Sequence, residues 1–312
     1  MPYETQHCTY DAHIAAVTFG VGDSAVTLGG ENVMPLQSFD GPIASRPAIG
    51  LEIDDVGIPD GLPELAAFYK NANTVADQVC RASELPEADF VALKFSSALP
   101  TGADRSVDEC VEVARAACAL CGKPLVVEGC RNSQKDRDLF EAIAKALQGE
   151  SLLLLSADID NYENVVKAAV AHGHAVGLDA PLDADWAKHL HSLVEKLGVP
   201  ASSLVVNLGS AAAGYGFEYV ASTIEYAKTA ALMQGDDLLR MPVVTSVAGE
   251  AWSVKESVVP QDEFPEWGPA EARGIQMEIA TATACLAAGS NAVILKHPQS
   301  ARTVSALVES LM

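Results

Sequence analysis

The groups able to do chemistry in this chain sit just behind short apolar runs: Glu52 and Asp54, Lys94, Glu128 with Gly129, Asp158, Asp179, Asn207 to Ser210, Ser246 to Trp252, and Lys296-His297-Pro298. Carboxylates and an amide grouped in this way can hydrogen-bond a polar ligand edge; Asn207 both donates and accepts but cannot serve as a general base. The segment from Asn207 through Gly209, Ser210, Gly214, Tyr215 and Gly216 is glycine-rich and leads into a helix start. Its backbone can approach a ligand closely and offer free N–H groups. Ala248 to Gly268 is long for a connection and carries Glu250, Trp252, Lys255, Glu256, Phe264 and Trp267, as a lid or a partner surface would. The expected ligand-contacting set is Asn207, Gly209, Ser210, Gly214, Tyr215, Gly216, Glu250, Trp252, Lys296 and His297; no catalytic residue and no metal ligand is assigned.

Other reactive side chains point to plainer roles. Lys94 and Lys296 each end an apolar run, where a desolvated lysine could form a Schiff base with a carbonyl substrate; pairing with a rim carboxylate is the simpler expectation. Cys118-Ala119-Leu120-Cys121, with Cys110 and Cys130, has enough thiols for an iron–sulfur cluster. Three of these fall on one predicted helix and the fourth follows the next strand, so all are expected to be structural. Seven cysteines without framework spacing fit reduced thiols rather than secreted disulfides. His172, His174, His189 and His191 are expected on the bottom or outer ring as loop or solvent-facing residues. His297 alone follows the last run, where it would approach a ligand or cap the final helix.

What must position these groups is a repeated alternation. Eight runs, Ala48 to Ile53, Phe90 to Phe95, Pro124 to Val127, Ser151 to Leu155, Ala175 to Leu178, Ser203 to Asn207, Pro242 to Val247 and Ala292 to Lys296, are too short for buried helices and rich in Val, Ile and Leu. They predict parallel strands covered on both faces. Amphipathic stretches separate them, such as Trp186, Leu190, Leu193, Val194 and Leu197 before Gly198, and Leu139, Ile143 and Leu147 before Gly149. Ser106 and Glu109 have the spacing of a capping box, and Pro269 opens a later helix. Eight strand-helix repeats predict an α/β fold, a (β/α)8 TIM barrel, whose chemistry belongs at the strand C-terminal ends.

Ahead of the first run, Ala12 to Phe19 and Ala25 to Gly29 predict a hairpin, with Pro35 leading away. Residues 1–46 are therefore expected to be an N-terminal hairpin extension closing the barrel bottom, and 47–312 the barrel. The chain's 312 residues with 49% hydrophobic content suffice for one large core. A formal net charge of −22 argues against nucleic-acid binding, which needs clustered Lys and Arg. No apolar stretch reaches a membrane span, and Met1-Pro2-Tyr3-Glu4 lacks a basic start; a cytoplasmic location is expected.

The order Arg46-Pro47-Ala48-Ile49-Gly50-Leu51-Glu52, Gly214-Tyr215-Gly216-Phe217-Glu218-Tyr219, Met241-Pro242-Val243-Val244, Gly249-Glu250-Ala251-Trp252, Pro265-Glu266-Trp267-Gly268 and His297-Pro298 closely resembles the small subunit of the corrinoid iron–sulfur protein. Its archaeal equivalent is the delta subunit of the acetyl-CoA decarbonylase/synthase complex. The resemblance spans nearly the whole chain. It implies a barrel paired as a heterodimer with a larger subunit that carries a [4Fe-4S] cluster and a corrinoid (cobalamin) domain, the corrinoid lying between the two subunits. It also implies methyl transfer from a methyltetrahydrofolate-dependent methyltransferase to acetyl-CoA synthase, within the acetyl-CoA pathway of carbon fixation that centres on CO dehydrogenase/acetyl-CoA synthase. The chain would then be a non-catalytic scaffold and corrinoid cover, because cobalt supplies the chemistry. One departure is Asn207-Leu208 where relatives tend to have Asp-Pro. The competing expectation is a stand-alone pterin-binding methyltransferase of TIM-barrel type, with Asp158, Asp179 and Asn207 on the pterin edge.

Overall fold

The computed structural model describes residues 10–34, 36, 40–41, 43 and 46–312. The Met1-Pro2-Tyr3-Glu4 start, Cys8 and Pro35 lie outside the described residues. Two short antiparallel strands come first, β1 (Val17–Phe19) and β2 (Val26–Leu28). Eight parallel strands follow: β3 (Ala48–Asp54), β4 (Phe90–Lys94), β5 (Leu125–Glu128), β6 (Leu153–Ala157), β7 (Ala175–Asp179), β8 (Leu204–Asn207), β9 (Val244–Ser246) and β10 (Ala292–Leu295). They pair in the order β8-β7-β6-β5-β4-β3-β10-β9. A parallel bridge from Val206 to Val243 brings the two ends of the sheet together. Each of the eight predicted runs overlaps a strand, and the fold is the expected TIM barrel.

Two-residue alternation builds the interior. Ala48, Phe90, Ala92, Val126, Leu153, Leu155, Ala175, Val205, Val244, Ala292 and Ile294 form one buried cluster. The other strand face packs on the helices in a second, larger cluster. Large and small residues interlock inside: a Cβ on Gly50 would lie 2.2 Å from the Phe90 ring, so Gly50 makes room for it. Val17, Phe19 and Leu28 of the hairpin join the inner cluster. Phe19 meets Phe90 edge-on, with ring centroids 5.6 Å apart. The Gly20 N–H donates to the Ser151 carbonyl at 2.6 Å, just ahead of β6. The hairpin therefore lies against the N-terminal ends of the barrel strands, opposite the chemistry-bearing ends.

Local signals act as expected in several helices. Ser106 and Glu109 form a reciprocal capping box ahead of helix Val107–Leu120, and Pro269 is the N-cap of helix Ala270–Ala288. The span 248–268 differs from the expected loop. It begins within helix Val247–Ala251 and contains helix Lys255–Val258 and a 3-10 turn at Pro265–Trp267. Arg273, outside the span, is the reason: its guanidinium donates to the carbonyls of Glu256 and Gly268, each at 2.6 Å, and of Val259. The Phe264 and Trp267 rings stack at 4.4 Å, and the Lys255 ammonium lies over both.

Two of the histidines expected in loops or solvent are buried instead. His174 accepts from the Leu152 N–H at 3.0 Å and contacts the Ala144 carbonyl at 2.9 Å, while His191 contacts the Leu238 carbonyl at 2.8 Å. Each spans two elements that would otherwise leave backbone groups unpaired. Among the described residues, no helix is long and apolar enough to cross a membrane.

Candidate functional site

The period that fills the barrel with apolar side chains also sets its mouth. Two residues beyond the last inward apolar position on five of the strands stand Lys94 after Ala92, Glu128 after Val126, Asn207 after Val205, Ser246 after Val244 and Lys296 after Ile294. Glu52 and Asp179 hold the same phase on β3 and β7, behind Gly50 and Gly177. These polar groups form the floor of the mouth. The side chain of Glu52 is buried, with Lys94 Nζ at 3.6 Å and Lys296 Nζ at 3.3 Å. Both strand-end lysines are thus rim partners of one carboxylate. Burial alone would depress Lys94, but Glu52, Glu128 and Asp54 together hold its ammonium above the ordinary range.

Glu128 is treated differently. Its Oε2 accepts from the Ser246 hydroxyl at 3.0 Å, while its Oε1 has no hydrogen-bond partner among the described residues. Burial, reinforced by the charge of Glu52, pushes its carboxyl up to about 7. Asp179, on β7, accepts from Asn207 Nδ2 at 2.8 Å. Burial raises it to about 6, with Asp158 adding to the shift and Arg131 opposing it. Two carboxyls that exchange protons near neutrality in one concavity mark a site able to bind or position a ligand.

Those groups border a cavity of about 270 Å3 lined by Lys94, Glu128, Arg131, Ser156, Asp158, Asp179, Leu182, Asn207, Gly209, Ser210, Ser246 and Glu250, among others. Of the expected ligand-contacting set, Asn207, Gly209, Ser210 and Glu250 are brought together here. Asn207 is already committed, its Oδ1 accepting from the Gly209 N–H at 3.0 Å. In the loop it begins, part of the backbone is likewise engaged. The Ala213 N–H donates to Thr281 Oγ1 at 3.0 Å and the Tyr215 N–H to the Ala212 carbonyl at 2.9 Å. Gly214 and Gly216 supply left-handed turns at φ 89° and 82°, the second being the N-cap of helix Phe217–Met233. Tyr215 is 49% exposed, and its hydroxyl donates to Glu256 Oε2 at 2.5 Å.

Trp252 and His297 are set aside from this cavity. Their rings stack 6.1 Å apart, and Trp252 fills the space over Gly274, where a Cβ would meet its ring at 2.2 Å. His297 is buried; its Nδ1 accepts from the Gln299 N–H at 3.1 Å as the N-cap of helix Pro298–Leu311, and its Nε2 lies 3.4 Å from Glu271. Trp252 and Lys296 instead border a second, more apolar cavity of about 690 Å3 between residues 59–64 and 257–272. Lys296 thus sits between the two, its ammonium on Glu52.

Other carboxylates at the mouth serve the backbone. Asp136 accepts from the N–H groups of Cys130 and Asn132 at 2.7 and 3.1 Å, and Asp158 from those of Asp160 and Asn161 at 2.9 and 3.1 Å. The expected set omits Glu128, Asp179, Ser156 and Arg131. Counting in steps of two from the last inward apolar residue recovers Glu128 and Asp179. Arg131 and Ser156 carry no such signal, Arg131 being held in a left-handed turn at φ 64°.

Among the described residues, Cys110, Cys130 and Cys285 are buried, and Cys80, Cys118 and Cys121 are half-buried. Burial lifts Cys118 and Cys130 to about 12 and Cys110 to about 11, and no group of three or more His, Cys, Asp or Glu among the described residues could hold a metal ion.

A protein-family model described as the CO dehydrogenase/acetyl-CoA synthase delta subunit matches residues 16–283. Subunit delta 2 of the acetyl-CoA decarbonylase/synthase complex of Methanosarcina acetivorans is 30% identical over 92% of this chain and 66% of its own length. The delta subunit of Archaeoglobus fulgidus is 30% identical over 89% of this chain and 62% of its own, and that of Methanopyrus kandleri 30% over 97% and 75%. The chain thus spans somewhat less than two thirds of the length of the first two. Among solved structures, the dihydropteroate synthase of Coxiella burnetii in complex with pteroic acid superposes with a TM-score of 0.56 at 14% identity, covering 86% of this chain and 94% of that one. A Yersinia pestis dihydropteroate synthase gives 0.53 at 14%, covering 95% and 98%. At that identity the likeness concerns the barrel fold.

Proposed function

The chain belongs to the CO dehydrogenase/acetyl-CoA synthase delta subunit family, and from that premise we propose that it is the barrel subunit of a heterodimeric corrinoid iron–sulfur methyl carrier. The match across residues 16–283 carries this reading. The larger subunit would bring the cluster and the corrinoid-binding domain. A methyltetrahydrofolate-dependent methyltransferase and acetyl-CoA synthase would be transient partners in the cytoplasm. Residues 1–46 are taken as an extension and 47–312 as the barrel proper.

The mouth fits a corrinoid as a cover rather than as a pocket. Its cavity of about 270 Å3 falls below the ~300–1,000 Å3 that encloses a drug-sized ligand, so a corrin macrocycle would lie across the rim. Leu182, Arg131 and Glu250, which border the cavity, and the exposed Tyr215 would meet it, with an unpartnered carboxyl oxygen of Glu128 beneath. When bound, the corrinoid supplies the cobalt that carries the methyl group. The chain's own part is to exclude water, present hydrogen bonds to the corrin edge and hold the rim rigid. Asn207 fits that role, since its amide orients Asp179 and the Gly209 turn and has no basic function to lend.

Co-purification from native cells tests the assignment. A larger, cluster-bearing corrinoid protein is expected at one-to-one ratio, and Tyr215→Ala is expected to weaken corrinoid retention in that complex while His172→Ala does not. Recovery as a homodimer lacking corrinoid would count against it. The competing reading, a free-standing pterin-dependent methyltransferase, predicts that the isolated chain demethylates methyltetrahydrofolate with free cobalamin; no turnover is expected.

A further inference from the structure

The floor of the mouth distributes its charges unevenly. Lys94 and Lys296 both lie within 3.6 Å of Glu52, although Glu128 is a second, half-buried carboxyl on the same floor. Among the described residues, Glu128 has the Ser246 hydroxyl on one oxygen and no hydrogen-bond partner on the other, and the Ser210 hydroxyl is likewise buried without one. Both residues line the 270 Å3 cavity. A buried polar atom left unpaired is costly, and a ligand bearing the complementary groups would recover that cost.

The charge around these two atoms narrows the ligand. An anion meets the carboxylates of Glu128 and Asp179, whereas a full cation meets Lys94 and Arg131 beside Glu128. A neutral group carrying both donors and an acceptor meets neither penalty. We propose that the cavity seats a primary carboxamide, one N–H donating to Glu128 Oε1 and the carbonyl accepting from the Ser210 hydroxyl. On the function proposed above, the edge of the corrinoid, which carries such amides, is its source; the cavity's preference for a carboxamide does not depend on that reading.

Seating the amide is coupled to a proton. Glu128 is faced by Glu52 from β3, Lys94 from β4, Ser246 from β9 and Arg131 from the turn after β5, with Lys296 held away on Glu52 and Asp179 across the cavity. With its carboxyl at about 7, Glu128 is largely protonated at pH 6. With the Ser246 hydroxyl donating to Oε2, the acid form carries its proton on Oε1, the atom the incoming N–H would meet, so seating the amide in this orientation releases that proton to solvent.

Nicotinamide and nicotinate, matched in shape, are suitable probes by ligand-observed NMR on the intact chain. Nicotinamide is expected to bind about tenfold more tightly at pH 8 than at pH 6, and nicotinate not to bind. Glu128→Gln should flatten the pH dependence, and Ser210→Ala should weaken binding at both pH values, each variant first shown to be folded by its circular dichroism. Cobinamide, a corrinoid with peripheral carboxamides, should displace nicotinamide. Equal binding of nicotinate, no binding of nicotinamide, or unchanged pH dependence in Glu128→Gln would overturn the inference. Nicotinamide binding that cobinamide fails to displace would uphold the carboxamide site with a free ligand and weigh against the corrinoid as its source.

Discussion

Glu128 illustrates what a single residue concedes to its surroundings. Its folded carboxyl, at about 7, stands well above the ordinary value of 4.5 because burial disfavours its charge. The folded state therefore holds a proton that the unfolded chain has already lost between those two values. The associated stability is full below about pH 4.5 and drains away as pH rises through 7. Glu128→Gln removes that dependence. In urea unfolding the variant is expected to match the native chain near pH 4.5 and to exceed it by on the order of 3 kcal/mol at pH 8. An identical pH profile for both proteins would show that the carboxyl is not held protonated. The residue's existence at a strand end is legible in the sequence; its isolation is not, because that follows from where two distant lysines, Lys94 and Lys296, chose their partner.

At the scale of elements, the least expected tie is between the hairpin segment and an outer helix. Lys228, on helix Phe217–Met233, is fully buried. It donates to Glu31 Oε1 at 3.0 Å and to Asn291, which in turn donates to Glu31 at 2.7 Å. Removing one partner of such a pair costs about 3–5 kcal/mol, because the other charge stays buried and alone. Lys228→Met is thus expected to lower unfolding free energy by that amount, and adding Glu31→Gln should restore much of it, as a double-mutant cycle in urea would reveal. Amphipathic helices and their caps were readable because they depend on residues three and four apart, as with Ser106 and Glu109. Lys228 and Arg273 look like ordinary helix cations in the sequence, since what they hold lies 197 residues away in one case and in a preceding irregular span in the other. That is also why residues 248–268 read as an open loop.

For the whole molecule, the alternation of eight runs pointed to the barrel, because eight strand-helix repeats are what a parallel sheet covered on both faces needs to close on itself. It said nothing of how evenly the barrel closes. β3 and β4 are in register at Gly50↔Phe90 through Asp54↔Lys94, but β8 and β9 meet at the bridge from Val206 to Val243, with the Val206 N–H donating to the Pro242 carbonyl at 2.9 Å. Pro242 has no N–H to return. This seam lies directly beneath the mouth, flanked by Asn207 on one side and Ser246 on the other. Local opening draws on the least-bonded part of a structure, so the barrel should breathe there first, and the Val206 amide should exchange its hydrogen for deuterium well before that of Leu93 in the β3–β5 wall. Each opening would carry the Ser246 hydroxyl away from Glu128 without disturbing Glu52 and its lysines, making the weakest stitch of the barrel a gate through which solvent reaches the most deeply held proton of the mouth.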